Sequence, residues 1–291
     1  MQIPGIHHVT ALAGDLQRNL DFYTGVLGLR LVKLTVNFDD PGTYHLYYGD
    51  AQGTPGTILT FFPWPGAPKG RQGAGQTSSI AFAAPAASLA YWAERLGNPS
   101  ANGRIAFHDP DGLPLEIVAE GDGGGNAITG FHGVTLSESG YESTARLLTE
   151  TFGYRLISEE GNRFRYAAAV PDAKAAHIDL LCQPDARNGA MGVGTVHHVA
   201  FRAESDAIQR EWQKEIGRLK YNVTPVLDRQ YFHSIYFREP GGVLFEIATD
   251  PPGFATDETP GNLGTHLKLP PWLEVNRAEI ERILPPLRLP K

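Results

Sequence analysis

The sequence predicts an α+β fold in which one βαβββ module is repeated four times. Three observations predict it. A strand-like segment recurs along the chain, a stretch with helical periodicity follows each copy, and short segments rich in aromatic and β-branched residues follow each helix. The four modules are expected to form two barrel-like half-domains.

The first strands identify the copies. Gly-Ile-His-His-Val-Thr-Ala at 5–11 recurs as Thr-Val-His-His-Val-Ala-Phe at 195–201, and weaker copies begin at Thr77 and Gly130. The predicted helices span 16–28, 87–96, 141–152 and 205–219. The modules therefore lie near residues 5–65, 77–120, 130–183 and 195–250.

A glycine-rich segment, Gly-Asp-Gly-Gly-Gly-Asn at 121–126, is typical of a flexible connector. It predicts a first domain, 1–126, with modules one and two, and a second, 127–250, with modules three and four. The Pro- and Leu-rich remainder, 251–291, is expected to be a tail packed on the surface, with a short amphipathic helix at 274–284.

Composition and charge narrow the function. The formal net charge is −7, which argues against nucleic acid or an anionic membrane as the main partner and favours a small neutral or weakly acidic substrate. The single cysteine, Cys182, excludes an internal disulfide, lies in an apolar run and is expected to be buried and structural. The N-terminus does not resemble a signal peptide, so a cytoplasmic location is expected.

Two His-His pairs occupy equivalent positions in the first and fourth modules. Adjacent side chains of a strand point to opposite faces, so one histidine of each pair can reach a common centre. His7 and His197 each share a face with the apolar residues two and four positions further on, which we expect under the helices. His8 and His198 then point to the concave side of the sheet.

A carboxylate stands on the closing strand of the fourth module. Phe245 and Ile247 belong to an apolar face and leave Glu246 on the other face. Burying an unpaired carboxylate costs roughly several kcal/mol, so this position calls for a cation or strong hydrogen-bond donors. With His8 and His198, Glu246 forms a set that leaves positions open on an ion, as Fe(II) needs to bind a chelating substrate and O₂ together. Fe(II) is the expected cofactor, with Mn(II) as the alternative.

The other two copies lack this set. Module two keeps a carboxylate, Glu116, but has Ser79 at the histidine position, and module three has Gly133 there, with His132 one residue out of phase. Only the first module paired with the fourth supplies two histidines and a glutamate, so we expect these modules to pair around the metal. Glu116 is interpreted as a relic of duplication and His132 as structural.

Five segments carry a resemblance to a known family. They are Ile-His-His-Val-Thr at 6–10, Asp-Phe-Tyr-Thr-Gly-Val-Leu-Gly at 21–28, Val-His-His-Val-Ala at 196–200, the block 228–250 and Leu-Pro-Pro-Trp-Leu at 269–273. With these segments, essentially the whole chain resembles the vicinal-oxygen-chelate superfamily. Within it, the chain is similar to the ring-cleaving dioxygenases that act on hydroquinones.

The resemblance implies the vicinal-oxygen-chelate fold and Fe(II)-dependent cleavage of a (substituted) hydroquinone, with both atoms of O₂ entering the product. It implies a small aromatic substrate and O₂ as partners, and leaves a homo-oligomer open. It also implies the ligands His8, His198 and Glu246. Five further site residues follow from it: Arg229 and Tyr236 in the substrate pocket, and the neighbouring groups His7, His197 and Thr10.

Three other functions stay open from the sequence. A glyoxalase-type isomerase shares the fold but usually has a second carboxylate ligand, where this chain has Thr60. A catechol extradiol dioxygenase usually builds its iron site from the last two modules, which Gly133 disfavours. A metal-free binding protein of the antibiotic-sequestering type would not need three convergent ligands.

Overall fold

Two β-sheets dominate the structure, a computed structural model that describes residues 1–170 and 173–289. Module one consists of β1 (Ile6–Ala13), α1 (Leu16–Asp21), a π-helical turn (Phe22–Val26), β2 (Arg30–Asn37), β3 (Asp40–Gly49) and β4 (Ile58–Pro63). Module two consists of β5 (Gln76–Ala84), a 3-10 turn (Ala86–Ser88), α2 (Leu89–Leu96), β6 (Arg104–His108) and β7 (Pro114–Ala119).

The second half of the chain repeats this order. Module three consists of β8 (Gly130–Glu138), α3 (Glu142–Arg146), a π-helical turn (Leu147–Thr151), β9 (Tyr154–Glu160), β10 (Arg163–Ala168) and β11 (His177–Cys182). Module four consists of β12 (Val196–Ala203), α4 (Asp206–Arg218), β13 (Leu227–Asp228), β14 (Phe232–Arg238) and β15 (Leu244–Pro252).

Modules one and four share one sheet, with strand order β13-β14-β15-β12-β1-β4-β3-β2, and modules two and three share the other, with order β6-β7-β5-β8-β11-β10-β9. β1 and β12 lie antiparallel at the centre of the first sheet, and the closing strands β4 and β15 run parallel to them. The predicted α+β fold, with the first module paired to the fourth, is confirmed. The predicted domain division at residue 126 follows chain order, and each sheet joins modules from both sides of it.

Module two has one strand fewer than the repeat predicts. After α2, which ends against Gly97 in the left-handed conformation, the chain runs as a loop to Arg104. This loop contains Pro99, which has no backbone N–H to donate to a strand ladder, and the left-handed Asn102 (φ 51°). These residues end the helix and turn the chain directly into β6.

The helices cover the outer faces of the sheets. Leu20 of α1 and Trp212 of α4 are buried in one apolar cluster with Val9 and Phe201 from the central strands. α4 begins with Ser205, whose side chain accepts a hydrogen bond from the backbone N–H of Ile208 and caps the first turn. None of the helices among the described residues has both the length and the apolar character needed to cross a membrane.

The tail packs on the surface, as expected, and its contacts lie along β2. Lys33 of β2 is fully buried and donates hydrogen bonds to Asp257 (2.6 Å) and Glu258 (2.5 Å) of the tail. Further on, Leu267 forms a parallel bridge with Leu34. The predicted tail helix is two helices, α5 (Pro271–Glu274) and α6 (Arg277–Ile283), so its predicted start falls on the last residue of α5.

Candidate metal centre

Three buried side chains converge at the centre of the eight-stranded sheet. His8 lies on β1, His198 on β12 and Glu246 on β15. Glu246 Oε2 is 2.9 Å from His198 Nε2 and 3.4 Å from His8 Nε2, and the two Nε2 atoms are 3.3 Å apart. Ligands about 2.1 Å from one ion lie about 3.0 Å apart at right angles and about 3.4 Å apart at tetrahedral angles. The observed separations therefore fit three ligands of one ion.

The carboxylate of Glu246 has one oxygen without a hydrogen-bond partner in the part of the chain that the structure describes. Ser234 Oγ donates to Oε1 at 2.5 Å, whereas the fully buried Oε2 accepts no well-directed hydrogen bond. Burial would raise the pKa of Glu246, but the adjacent His8 and His198 outweigh it and hold the pKa well below 4.5. An anionic oxygen buried in this way is costly unless a cation faces it, so the donor set fits a divalent metal. Among the described residues, no other group of three His, Cys, Asp or Glu side chains converges like this one.

His7 and His197, the outer histidines of the two pairs, do not lie where the strand alternation predicted. The pairing of β1 with β12 contains two β-bulges, one with His7 as the extra residue and one with His197. These bulges turn both side chains towards their neighbours, so that His7 Nδ1 lies 2.9 Å from His8 Nδ1 and His197 Nδ1 lies 2.7 Å from His198 Nδ1. The expectation that His7 and His197 lie under the helices was therefore wrong.

Both outer histidines are uncharged at neutral pH. Burial, together with the charge of His8, lowers the pKa of His7 well below 6.5. Burial and the charge of His198 lower the pKa of His197 to about 3. Each neutral ring carries one N–H and one lone pair, so each can either donate to its neighbour or accept from it.

A cavity of about 240 Å³ opens beside His8 and His198. Six of the eight residues predicted for the site line it: His8, Thr10, His197, His198, Arg229 and Tyr236. Of the other two, Glu246 is fully buried, and His7 lines a separate cleft together with Tyr231 and Phe254. The apolar part of the wall is formed by Phe38, Phe62, Trp64, Phe232 and Leu244, which suits a flat aromatic ligand.

Arg229 and Tyr236 form the charged end of the cavity wall. The guanidinium of Arg229 lies 5.6 Å from the centre of the Tyr236 ring and 3.0 Å from Asp39 Oδ2. Burial, and then the charge of Glu246, raises the pKa of Tyr236 above its usual range, so its hydroxyl keeps its proton. Tyr236 therefore presents a hydrogen-bond donor beside a permanent cation.

Two cavity residues, His45 and Tyr47, were not predicted from the sequence. The segment Tyr-His-Leu-Tyr-Tyr at 44–48 was interpreted only as a strand, which it is. His45 and Tyr47 lie two positions apart, so they share one face of β3 and both line the cavity. The internal repeat could have identified them, because Tyr47 pairs with Thr60 as Tyr236 pairs with Glu246.

The equivalent position between modules two and three is occupied by protein side chains. Glu116 pairs with Arg104 and accepts a hydrogen bond from Ser79 Oγ at 3.0 Å. The guanidinium supplies the positive charge that a metal would supply in the other sheet. This contact agrees with the interpretation of Glu116 as a relic.

His132 has local partners in module three. Its Nδ1 lies 2.8 Å from Glu120 Oε2, and its ring stacks on His177 with centroids 4.2 Å apart. A Cβ atom at the neighbouring Gly133 would lie 2.1 Å from the carbonyl oxygen of His177. A histidine ligand at Gly133 is therefore sterically excluded.

The sequence model of the Glyoxalase/Bleomycin resistance protein/Dioxygenase superfamily matches residues 5–117 and 130–247. The chain belongs to this superfamily. The two matched segments correspond to modules one and two and to modules three and four. Glyoxalase I from Zea mays has a similar fold: its structure superposes with a TM-score of 0.64 at 16% identity, covering 84% of this chain and 92% of that one.

Relatives within the superfamily match over nearly their whole length. MhqO of Bacillus subtilis (strain 168), provisionally named a ring-cleaving dioxygenase, is 48% identical and covers 98% of this chain and 97% of its own. The chlorohydroquinone/hydroquinone 1,2-dioxygenase of Sphingobium indicum is 34% identical over 98% of both chains. A crystal structure of a provisionally named dioxygenase from Bacillus subtilis subsp. subtilis str. 168 superposes with a TM-score of 0.94 at 47% identity, covering 100% of this chain and 99% of that one.

Proposed function

We propose that the protein is an Fe(II)-dependent dioxygenase that cleaves the ring of a (substituted) hydroquinone with O₂. The observation that carries the proposal is the convergence of His8, His198 and Glu246 beside a cavity walled by aromatic side chains. The similarity to a chlorohydroquinone/hydroquinone 1,2-dioxygenase supports the choice of ring.

His8 Nε2, His198 Nε2 and a Glu246 oxygen would hold the metal. Bound Fe(II) would supply adjacent open positions at which a ring oxygen and O₂ can meet. Ser234 fixes the carboxylate by donating to Oε1, which leaves Oε2 free for the metal. Mn(II) is the alternative ion, since the same nitrogen and oxygen donors suit it.

The outer histidines, His7 and His197, would orient the imidazole rings of His8 and His198. A histidine that binds metal through Nε2 carries its hydrogen on Nδ1, so His8 donates to His7 Nδ1 and His198 donates to His197 Nδ1. This arrangement requires His7 and His197 to be neutral acceptors, which agrees with their lowered pKa values. We assign both residues a positioning role.

Arg229 and Tyr236 would stabilise negative charge on a substrate oxygen. A ring hydroxyl that loses its proton becomes an oxyanion, which the guanidinium of Arg229 stabilises in a largely buried site. Tyr236 stays protonated and donates a hydrogen bond to the same end of the ring. Asp39, mostly exposed, pairs with Arg229 at the cavity wall and keeps its side chain in place.

The alternative functions fit the geometry less well. The position of a second carboxylate ligand is occupied by Thr60, whose hydroxyl already contacts Thr10 and His45 at 2.8 Å each. This disfavours an isomerase with four protein ligands. A metal site between modules three and four is disfavoured by the lack of space at Gly133.

Oxygen uptake by the metal-loaded protein tests the proposal. After anaerobic reconstitution with Fe(II), we expect hydroquinone to stimulate O₂ uptake, and catechol and a glutathione hemithioacetal to be poor substrates. His198→Ala and Glu246→Ala should lose both iron and turnover. Glu116→Gln is the matched control, because it changes the equivalent carboxylate of module two, and it should retain both. Wild-type uptake in the two ligand variants would refute the assignment.

A further inference from the structure

The cavity contains a second tyrosine, Tyr47, that has no role in the proposed function described above. Tyr47 lies on β3, is 1% exposed, and its hydroxyl lies 2.8 Å from His45 Nδ1. Among the described residues this is its one hydrogen-bond partner, although a phenol can donate one bond and accept two. The remaining capacity of the hydroxyl is free in a cavity that it lines.

The internal repeat relates Tyr47 to Tyr236. In module four, Tyr236 pairs with Glu246 across β14 and β15, and Ser234, two residues earlier, donates to Glu246. In module one, Tyr47 pairs with Thr60 across β3 and β4, and His45, two residues earlier, contacts Thr60 Oγ1 at 2.8 Å. The two tyrosines occupy the same position in their modules.

The two tyrosines lie on strands that are separated in the sheet order. β14 and β3 are separated by four strands, β15, β12, β1 and β4, and both tyrosines line the same cavity. A ring with two hydroxyl groups in para positions carries its oxygen atoms at opposite ends. Such a ring can place one oxygen near Tyr236 and Arg229 and the other near Tyr47.

We propose that Tyr47 hydrogen-bonds the second hydroxyl of the substrate and so favours a ring with two hydroxyl groups over a ring with one. This inference rests on the proposed function. It identifies the residue that binds the ring hydroxyl not contacted by Arg229. His45 is a positioning residue, because both of its ring nitrogens are engaged, Nδ1 with Tyr47 and Nε2 with Thr60. Thr10 completes the chain at 2.8 Å from Thr60.

The hydrogen bonds that link Tyr47 to His45, Thr60 and Thr10 allow Tyr47 to bind either a protonated or a deprotonated ring oxygen. Burial, and then the charges of His8 and His198, lowers the pKa of His45 well below 6.5, so its ring carries one N–H. With the hydrogen on Nδ1, His45 donates to Tyr47, whose O–H then donates to a ring oxyanion. With the hydrogen on Nε2, Tyr47 donates to His45 and accepts from a ring hydroxyl. The hydroxyls of Thr10 and Thr60 can reverse direction to match.

Binding measured without oxygen tests this inference. We would titrate hydroquinone, and phenol as the ring that lacks the second hydroxyl, into the Fe(II)-loaded protein by anaerobic calorimetry. The wild type should bind hydroquinone about tenfold or more tightly than phenol, the gain expected of one buried hydrogen bond. Tyr47→Phe should reduce that ratio to near one with unchanged iron content. His45→Gln should reduce it partly, since it keeps the hydroxyl but changes its partner.

Tyr48→Phe is the matched control. Tyr48 is the next residue on β3, faces the helices, is fully buried, and donates its hydroxyl hydrogen to Asn19 at 2.9 Å. It should keep the wild-type ratio. An unchanged ratio in Tyr47→Phe, or an equal loss in both variants, would overturn the role of Tyr47 while leaving the proposed function intact. A wild type that neither binds nor cleaves hydroquinone would refute the proposed function itself and this inference with it.

Discussion

Replacing Glu246 by glutamine separates the role of this residue in the metal site from its role in the fold. The carboxamide has nearly the same size as the carboxylate, and its N–H groups can donate to a histidine lone pair. Glutamine loses the charge interaction with His8 and His198 that holds the pKa of Glu246 low, but it also removes an anionic oxygen that has no hydrogen-bond partner among the described residues. Because these effects oppose each other, the stability of protein prepared without metal should change by no more than about 2 kcal/mol in either direction. Metal binding should suffer instead.

The size of the metal effect follows from linkage. At a free Fe(II) concentration of about a hundred times Kd, binding to the folded state stabilises it by about 2.7 kcal/mol, which raises Tm by roughly 5–10 °C. If the loss of a ligand weakens binding at least about a hundredfold, the same concentration stabilises the variant by only about 0.4 kcal/mol, or roughly 1–2 °C.

Thermal unfolding under nitrogen, with and without Fe(II), measures this difference. We expect a large Tm increase in the wild type and in Glu116→Gln, and a small one in Glu246→Gln. An equal increase in Glu246→Gln would refute the reasoning, because it would place the ion elsewhere. A metal-free Tm for Glu246→Gln far below that of the wild type would contradict the view that Oε2 is kept for a cation.

Three further predictions concern other parts of the molecule. Arg229→Gln should raise KM for hydroquinone about ten- to a hundredfold with unchanged iron content, as charge-assisted hydrogen bonds are lost; steady-state kinetics with metal analysis checks this. Burial and the nearby Glu239 raise the pKa of Glu138 to about 9 from 4.5, so stability should fall as pH rises through this interval, and Glu138→Gln should flatten the urea-unfolding profile and add about 1–3 kcal/mol at pH 8. Lys33→Met should cost about 3–5 kcal/mol in the same assay, because it leaves two tail carboxylates without their cation; a loss below about 1 kcal/mol would contradict this.

The repeat made the fold predictable, and with it the convergence of His8, His198 and Glu246. Equivalent positions in modules one and four carry His8 and His198, and elimination of Gly133 and Ser79 as ligand positions predicted which modules pair. These arguments need only the period of a strand and the register of a repeat. They hold because equivalent positions of a repeated module are brought to equivalent places in the shared sheet.

The deviations arise where one extra residue or a distant segment changes the geometry. The faces of His7 and His197 were wrong because a β-bulge reverses the alternation, and nothing in Ile-His-His-Val distinguishes a bulge from a regular strand. Module two lacks one strand because Pro99 and Asn102 interrupt the segment after its helix. Both residues can be seen in the sequence, but the repeat pattern favoured a strand there. Tyr47 was overlooked because its importance depends on curvature that brings β3 to the cavity.

Cleavage under ¹⁸O₂ tests the central claim most directly. The Fe(II)-loaded protein would be supplied with hydroquinone and labelled oxygen in unlabelled water, and the product analysed by mass spectrometry after rapid quenching and chemical reduction, which prevents exchange of a carbonyl oxygen with solvent. The account predicts a ring-opened product that contains two labelled atoms. A product with one labelled atom, an unopened ring, or oxygen derived from water would contradict it.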